Sequence, residues 1–231
     1  MKRAFLLFVC VLVLLAGGTA QAGSMAIPGM IAGGYSANVK VTSIKERRFL
    51  TTVRQQYDYS CGSAALATLL TYQYQHPVSE EAVFKEMWSR GNQEKIRREG
   101  FSLLDIKEYL QANGYSANGY VAPLDRLVEV GIPAIALIND NGYHHFVVVK
   151  GVQKDKVLLG DPSAGTRTIP RPLFEKMRVN GILFVIIGKR EQAVFNAQND
   201  WKTRPGAPLG TAISPDNLAN VALLRRSPND F

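Results

Sequence analysis

The sequence predicts an α+β protein in which a helical lobe is followed by an antiparallel sheet lobe. Three segments with apolar residues at helical spacing come first, at 61–74, 79–89 and 102–112. Stretches rich in β-branched residues follow, the longest of them at 132–138 and 145–152. Helices grouped before strands are typical of an α+β domain, whereas a doubly wound sheet alternates the two.

The first 22 residues have the pattern of a secretory signal peptide. Lys2 and Arg3 precede an apolar run at 4–16, and the small-residue pattern Ala20-Gln21-Ala22 follows it. The run is shorter than the roughly 20 residues that cross a bilayer as a helix. We therefore expect cleavage after this pattern and export of the mature protein.

The remaining chain is expected to form a flexible leader at 23–38, a domain at 39–189 and a C-terminal extension at 190–231. The leader is rich in glycine and shows no periodicity. Weak strand patterns at 39–43 and 49–53 open the domain. The extension is rich in Asn, Gln, Pro and Gly until Ser214-Pro215, where a helix that reaches 226 is expected to begin.

A serine precedes each of the three predicted helices at the position of a cap. Ser60 comes before an Ala/Leu-rich helix, Ser79 before a helix with two acidic residues in its first turn, and Ser102 before the third. Gly114 is expected to end the third helix. Cys61 therefore lies in the first turn of the first helix.

Strand patterns dominate after Gly114. A short strand is expected near Val121 and a brief helix at 123–130. The four main strands are expected at 132–138, 145–152, 156–160 and 181–188. A short helix at 171–177 connects the last two.

The charge pattern argues against a nucleic-acid-binding protein. The chain carries 27 basic and 19 acidic residues, and the basic ones are spread out in pairs such as Arg47-Arg48. No stripe of Lys and Arg alternates with aromatic residues, which is the pattern that nucleic-acid binding favours. Anionic peptides or a membrane surface stay open as weak partners.

Cys61 is the one cysteine left after Cys10 is removed with the signal peptide. An unpaired cysteine in an exported protein is either a reactive thiol, a partner for an intermolecular disulfide or a buried apolar residue. A helix N-terminus and a nearby imidazolium lower the pKa of a thiol. We therefore interpret Cys61 as a candidate nucleophile held as a thiolate.

Three histidines are available as its base. His76 follows the first helix and so lies about 20 Å from Cys61, at the end where it would cap the helix. His144 and His145 begin a strand. Adjacent strand residues point to opposite faces, so the hairpin register decides between them.

The predicted register favours His145 with Asp161. If Val152 pairs with Lys156 around a three-residue loop, Asp161 lies opposite Val147 and His145 is its diagonal neighbour on the same face. A slip of one residue would place His144 there instead. The alternative interpretations are a strand-edge histidine and a turn aspartate.

Other assignments of these residues are weaker. A zinc site built from Cys61, His144, His145 and Asp161 is disfavoured, because no CxxC or HxxxH spacing exists. No cofactor is expected. Gln55 and Gln56 precede Cys61 closely enough for a side-chain amide to act as an oxyanion donor beside the Cys61 backbone N–H.

Several motifs together resemble the C39 cysteine peptidases over about residues 50–188. They are Gln55-x5-Cys61-Gly62 before an Ala/Leu-rich helix, "GFSLLDIKEYLQANGY" from 100, "GIPAIALI" from 131, "HFVVVKGV" from 145 and "GDPSAGTRTIP" from 160. The resemblance implies a papain-like fold. It also implies roles for four residues: Cys61 as nucleophile, His145 as general base, Asp161 as its orienting group and Gln55 in the oxyanion hole.

The resemblance also bears on substrate and location. Many C39 domains belong to peptide-exporting ABC transporters and cut after a double glycine, but this chain shows a signal peptide and no nucleotide-binding motif. It is more similar to stand-alone periplasmic C39-like proteases of functional-amyloid systems. The implied substrate is an exported amyloid-system polypeptide or a component of its secretion machinery, and double-glycine specificity is not implied.

Two other functions fit the same residues. A C39-like module could hold an extended peptide, as an export chaperone does, without cutting it. An acyl-enzyme could also pass its acyl group to an acceptor other than water, as in a transglutaminase-like or amidase reaction. A comparison of the wild type with Cys61→Ala separates cleavage from binding.

Overall fold

The computed structural model describes residues 24–27, 37–40 and 43–202. The predicted signal peptide at 1–22 and the predicted helix at 214–226 lie outside the described residues. The chain divides into two compact units, Met1–Arg47 and Arg48–Phe231. Among the described residues, no helix combines the length and apolar character needed to cross a membrane.

In the first unit, β1 (Ser24–Ile27) pairs with β2 (Ala37–Lys40) in an antiparallel ladder. Both strands fall within or next to the segment predicted as a leader. Helix α1 (Ile44–Arg48) ends at the first residue of the second unit. The predicted domain limits at 39 and 189 stay predictions.

The second unit begins with a helical lobe. Its α-helices are α2 (Cys61–Thr68), α3 (Glu80–Arg90), α4 (Gln93–Glu99) and α5 (Leu103–Ala112). A π-helical turn, Leu69–Gln73, continues α2. All eight residues of α2 are buried, including the polar Ser63 and Thr68, whose hydroxyls donate to backbone carbonyls.

A six-stranded antiparallel sheet forms the second lobe. Its strands are β3 (Ser116–Val121), β4 (Ala134–Asp140), β5 (Tyr143–Val152), β6 (Lys156–Asp161), β7 (Gly165–Pro170) and β8 (Ile182–Ile187). The strand order is β3-β8-β4-β5-β6-β7. Helices α6 (Asp125–Val130) and α7 (Arg171–Met177) connect strands, and α8 (Gln198–Trp201) follows the sheet.

The central strand β5 is buried on both faces. Phe146 and Val148 belong to one apolar core with α2 and α5, whereas Val147 and Val149 belong to a second core with α6 and α7. A strand covered on both sides has no need of polar alternation, which explains the continuous apolar run from Phe146 to Val149. The predicted α+β class, with a helical lobe before an antiparallel sheet, is confirmed.

The structure differs from the sequence prediction in three local features. Residues 49–53 form turns and bends rather than a strand, and neither α4 nor β7 was predicted. Ser60 makes no capping bond, because its hydroxyl exchanges hydrogen bonds with the backbone of Tyr57. Ser79 and Ser102 do cap their helices, as predicted.

Candidate active site

Cys61 is a free, buried cysteine at the first position of α2. The helix packs closely on its neighbours at this point, since a Cβ on Gly62 would lie 2.8 Å from Phe101 Cβ and 3.5 Å from Phe146 Cδ2. Glycine next to the cysteine therefore allows the helix terminus to approach Phe101, while Phe146 of β5 lies at ordinary contact distance. Phe146 is the residue after His145, so α2 presents the thiol beside the start of β5.

The environment of Cys61 stabilises the neutral thiol. Burial raises the pKa of the Cys61 thiol, although hydrogen bonds from the backbone of Phe146, Gly62 and Cys61 itself lower it. The negative charge of Asp161 raises it further. Burial thus outweighs the backbone hydrogen bonds at the helix terminus, so the direction of the shift differs from the sequence expectation of a preformed thiolate.

His145 and Asp161 form a buried pair. His145 Nε2 lies 3.2 Å from Asp161 Oδ2, and the two side chains are 3% and 0% exposed. Such burial excludes water from the contact and strengthens its electrostatic component. The structure therefore brings together the histidine and the carboxylate that the sequence singled out.

Asp161 is held by several donors in addition to His145. Its Oδ1 accepts hydrogen bonds from Ser163 N at 2.9 Å, Ser163 Oγ at 2.7 Å and Ala164 N at 3.2 Å. Arg167 Nε donates to Oδ2 at 3.0 Å, and Arg167 Nη2 lies 2.8 Å from the same oxygen. The carboxylate is fixed on both oxygens, so its orientation toward His145 is determined by the β6–β7 turn.

These donors also determine the ionisation of Asp161. Burial alone would raise the pKa of Asp161, but the hydrogen bond and charge of His145, the hydrogen bond of Ser163 and the charge of Arg167 hold it well below its usual range. An ionised carboxylate can only accept at Oδ2. Nε2 is therefore the donor in the contact with Asp161, and Nδ1 is the ring nitrogen that does not face the carboxylate.

His145 Nδ1 is buried and has no hydrogen-bond partner among the described residues. The Tyr143 ring stacks on the imidazole with a centroid distance of 5.1 Å, and the Tyr143 hydroxyl donates to Asp58 O at 3.1 Å. Burial, and next the charge of an ionised Cys61, raise the pKa of Tyr143, so the ring lies close to the thiol as well. Tyr143 thus connects His145, on the sheet, with Asp58, in the segment before α2.

Gln55 lies in the segment before α2 and is tied to the aspartate turn. Its backbone N–H donates to Pro162 O at 3.1 Å, and its side-chain Nε2 donates to Tyr57 O at 3.1 Å. The Gln55 side chain also hydrogen-bonds Tyr143, which partly offsets the rise that burial causes in the pKa of the tyrosine. Gln55 is half-buried, whereas the neighbouring Gln56 is exposed, so the structure separates the two glutamines that the sequence left as alternatives.

A groove opens beside the thiol. It is lined by residues from the segment before α2, from α4 and from the start of β5, including Asp58, Tyr59, Cys61, Arg97, Tyr143 and His144. A cluster of aromatic rings lies next to it, with Tyr57 stacked on Tyr59, Phe84 stacked on Trp88 and tilted contacts between the two pairs. The Arg97 guanidinium lies over the Trp88 ring. The groove therefore places polar and aromatic side chains beside Cys61.

The other two histidines lie elsewhere. His76 is exposed beyond the far end of the α2 segment, where its backbone N–H donates to Leu70 O at 2.9 Å, as expected for a residue that ends a helix. His144 is exposed and lines the groove, on the face opposite to His145.

The segment that contains these residues is similar to known proteins. Residues 50–187 match the model of the Peptidase C39 family. The chain belongs to the peptidase C39 family. The predicted membership of this family of cysteine peptidases is thereby confirmed.

Two relatives of this C39 peptidase bear the name "Probable functional amyloid protease FapD". The one from Pseudomonas fluorescens is 45% identical over 189 residues, which cover 82% of this chain and 81% of that protein. The one from Pseudomonas aeruginosa is 41% identical over 178 residues, which cover 77% and 78% of the two chains.

A solved structure supports the fold of this C39 peptidase. The peptidase domain of Streptococcus ComA, described as a bifunctional ABC transporter involved in a quorum-sensing pathway, superposes with a TM-score of 0.50 at 20% identity. The match covers 59% of this chain and 96% of that domain. The papain-like α+β fold expected for the family is confirmed by this likeness.

Sequence reasoning missed two residues that contact the histidine–aspartate pair. Arg167 lies on β7, a strand that was not predicted, so its proximity to Asp161 could not be inferred. Tyr143 was missed because β5 was expected to begin at His145. The tight turn Asn141-Gly142 before Tyr143, with positive φ at both residues, is the signal that could have placed it at the start of a hairpin strand.

Proposed function

We propose that this protein is a periplasmic cysteine endopeptidase that cleaves an exported polypeptide of a functional-amyloid system or a component of its export machinery. The observations that carry the proposal are the buried His145–Asp161 pair, whose Nδ1 has no partner in the described part of the chain, and the hydrogen bond of the Cys61 thiol with the backbone of Phe146, the residue after His145. The names of the two Pseudomonas relatives support the amyloid-system substrate. The predicted signal peptide supports the periplasmic location.

In the proposed reaction, His145 Nδ1 accepts the proton of the Cys61 thiol while Asp161 stabilises the resulting imidazolium through Nε2–H. The thiolate sulfur attacks the scissile carbonyl carbon, and the carbonyl oxygen becomes an oxyanion. Collapse of this intermediate breaks the C–N bond, and His145 returns the proton to the leaving amine. Water, deprotonated by His145, then hydrolyses the thioester and regenerates the thiol.

Gln55 and a backbone amide at the start of α2 are proposed as the oxyanion donors. The Gln55 side chain is anchored on Tyr57 O and also hydrogen-bonds Tyr143, a contact that the oxyanion would replace as charge develops. Its backbone bond to Pro162 O couples the position of this donor to the turn that holds Asp161. Donor and base are thus positioned by one connected set of contacts.

The test is cleavage by the mature protein against a matched Cys61→Ala variant. Both are incubated with periplasmic polypeptides from the host, and new N-termini are identified by mass spectrometry. We expect new termini with the wild type alone. If neither protein produces new termini, and immobilised Cys61→Ala still retains polypeptides from the same mixture, the non-cleaving peptide-binding module is indicated instead.

A further inference from the structure

The strand that carries His145 contains an irregularity five residues further along. Near its turn, Val152 pairs with Val157 and Gly151 with Leu158, but beyond Lys150 the register changes and Val149 pairs with Leu159. β5 therefore has one extra residue, Lys150, which forms a β-bulge. The predicted pairing of Val152 with Lys156 is wrong by one residue at the turn.

The bulge determines which face of β5 meets Asp161. Val148 pairs with Gly160 beyond the bulge, so Asp161 continues opposite Val147 and shares a face with His145. If the register at Val152 continued without a bulge, Asp161 would lie opposite Val148, and His145 would point to the other face. The contact of 3.2 Å between His145 and Asp161 thus requires the extra residue.

The backbone of the bulge is held by Asn196, which lies beyond the residues that match the family model. Asn196 N donates to Lys150 O at 2.9 Å, and Asn196 Oδ1 accepts from Val152 N at 2.9 Å. The fit is tight, because a Cβ on Gly151 would lie 2.4 Å from Asn196 Oδ1. Asn196 thus satisfies the backbone C=O of the bulged residue Lys150 and the backbone N–H of Val152, the two groups on either side of Gly151.

The side chain of Lys150 is held by a second residue of the same segment. Its Nζ lies 2.8 Å from Asp200 Oδ2, and donates to Thr51 O at 2.9 Å and to Thr51 Oγ1 at 2.7 Å. Thr51 Oγ1 donates in turn to Asp200 Oδ1 at 2.8 Å. The Lys150 side chain is fully buried, so removal of Asp200 would leave a buried ammonium without a counter-ion.

We propose that Lys150, Asn196 and Asp200, which we call the clasp, are positioning residues for the His145–Asp161 pair. The clasp touches neither the thiol nor the groove, and it acts through the bulge that places His145 on the face of Asp161. Its effect on cleavage depends on the proposed function, whereas its effect on the geometry of the pair does not. The segment around 196–200 is then an integral part of the peptidase rather than an appended tail.

The test compares Asn196→Ala and Asp200→Asn with Asn199→Ala, an exposed neighbour on α8. The first readout is the Nε2 proton of His145 in ¹⁵N-histidine-labelled mature protein, which has three histidines to assign. We expect the hydrogen-bonded proton signal to shift or vanish in both clasp variants and to stay in Asn199→Ala. An unchanged signal in both clasp variants would overturn the proposal.

The second readout is steady-state kinetics on any substrate that the wild type cleaves. A misplaced base should lower kcat by about 10- to 100-fold with little change in KM, since the groove is untouched. A rise in KM alone would contradict positioning of the base. If the wild type cleaves nothing, the proposed function fails, but the proton signal still decides on the clasp.

A third variant guards against simple unfolding. Lys150→Met combined with Asp200→Asn removes both buried charges, so it should unfold at a higher temperature than Asp200→Asn alone, as followed by circular dichroism. This double variant keeps Asn196 on the backbone of the bulge. We expect the double variant to be folded but to lack the wild-type His145 proton signal, because the contacts that hold the Lys150 side chain are gone. A folded double variant with the wild-type signal would show that the Lys150–Asp200 pair acts through stability alone.

Discussion

Asp161 Oδ2 lies 3.2 Å from His145 Nε2 in a contact that is almost completely shielded from solvent. The carboxylate is held by a turn and by Arg167, and the imidazole by its strand and by Tyr143. Two chain segments that are 16 residues apart thus fix the orientation and the tautomer of one histidine.

Asp161→Asn is expected to change the acid stability of the protein. Because the pKa of Asp161 is lowered in the fold, its stabilising contribution is complete above the unfolded value of about 4 and is lost as the pH falls below it. The difference in free energy of unfolding between the wild type and Asp161→Asn should therefore shrink from pH 7 to pH 3. Urea unfolding at several pH values measures it.

Asp125→Asn is the matched control, since Asp125 pairs with Arg171 at the surface. We expect a small and nearly constant effect there, because exposed ion pairs contribute little. A difference for Asp161→Asn that stays constant from pH 7 to pH 3 would show that the fold does not lower the pKa of Asp161.

Arg167→Lys is expected to lower kcat. The guanidinium contacts Asp161 Oδ2 through two nitrogens, and a lysine ammonium cannot reproduce this geometry. Arg171→Lys, at a comparable two-nitrogen contact with the exposed Asp125, provides the control and should leave kcat unchanged. Equal kinetics for both variants would assign Arg167 a role in stability only.

Gln55→Ala is expected to lower kcat by about 10²- to 10³-fold, the usual effect of the loss of one oxyanion donor. Gln56→Ala, at the exposed neighbouring position, should keep wild-type kcat. Steady-state kinetics of the pair measures the difference. If Gln55→Ala raises KM at constant kcat, Gln55 binds substrate and is not an oxyanion donor.

Gly62→Ala is expected to destabilise the domain by about 1–3 kcal/mol, because the new methyl group would overlap Phe101 Cβ at 2.8 Å. The strain falls next to Cys61, so the variant should also lose thiol reactivity at a temperature where it is folded. Thermal unfolding and alkylation of the same sample measure the two effects. A stable variant with wild-type reactivity would show that α2 and Phe101 can move apart without cost.

The sequence predicted those parts of the fold that depend on local pattern. The helices α2, α3 and α5 and the strands β4 and β5 follow from apolar spacing, and capping at Ser79 and Ser102 follows from side-chain chemistry. Strand β7 was missed because its residues, Gly165–Pro170, alternate little and begin with a glycine in the left-handed region. Because β7 lies at the edge of the sheet, it needs fewer apolar residues than a central strand does.

The candidate site was predicted partly through two errors that compensate. The hairpin register was misplaced by one residue at the turn, and the bulge at Lys150 was not foreseen. Since a bulge shifts the register by one residue, the predicted relation of His145 to Asp161 nevertheless agrees with the structure. No local pattern reveals the bulge, because a lysine within an apolar strand becomes intelligible only when Asp200 and Thr51 are seen beside it.

The most direct measurement is the rate of Cys61 alkylation by iodoacetamide between pH 5 and pH 10 in the wild type, His145→Ala and His144→Ala. Since burial raises the pKa of the thiol, reactivity near neutral pH requires a base that accepts its proton. We expect neutral reactivity in the wild type and in His144→Ala, and a shift to alkaline pH in His145→Ala. The same profile in all three proteins would contradict proton transfer from Cys61 to His145.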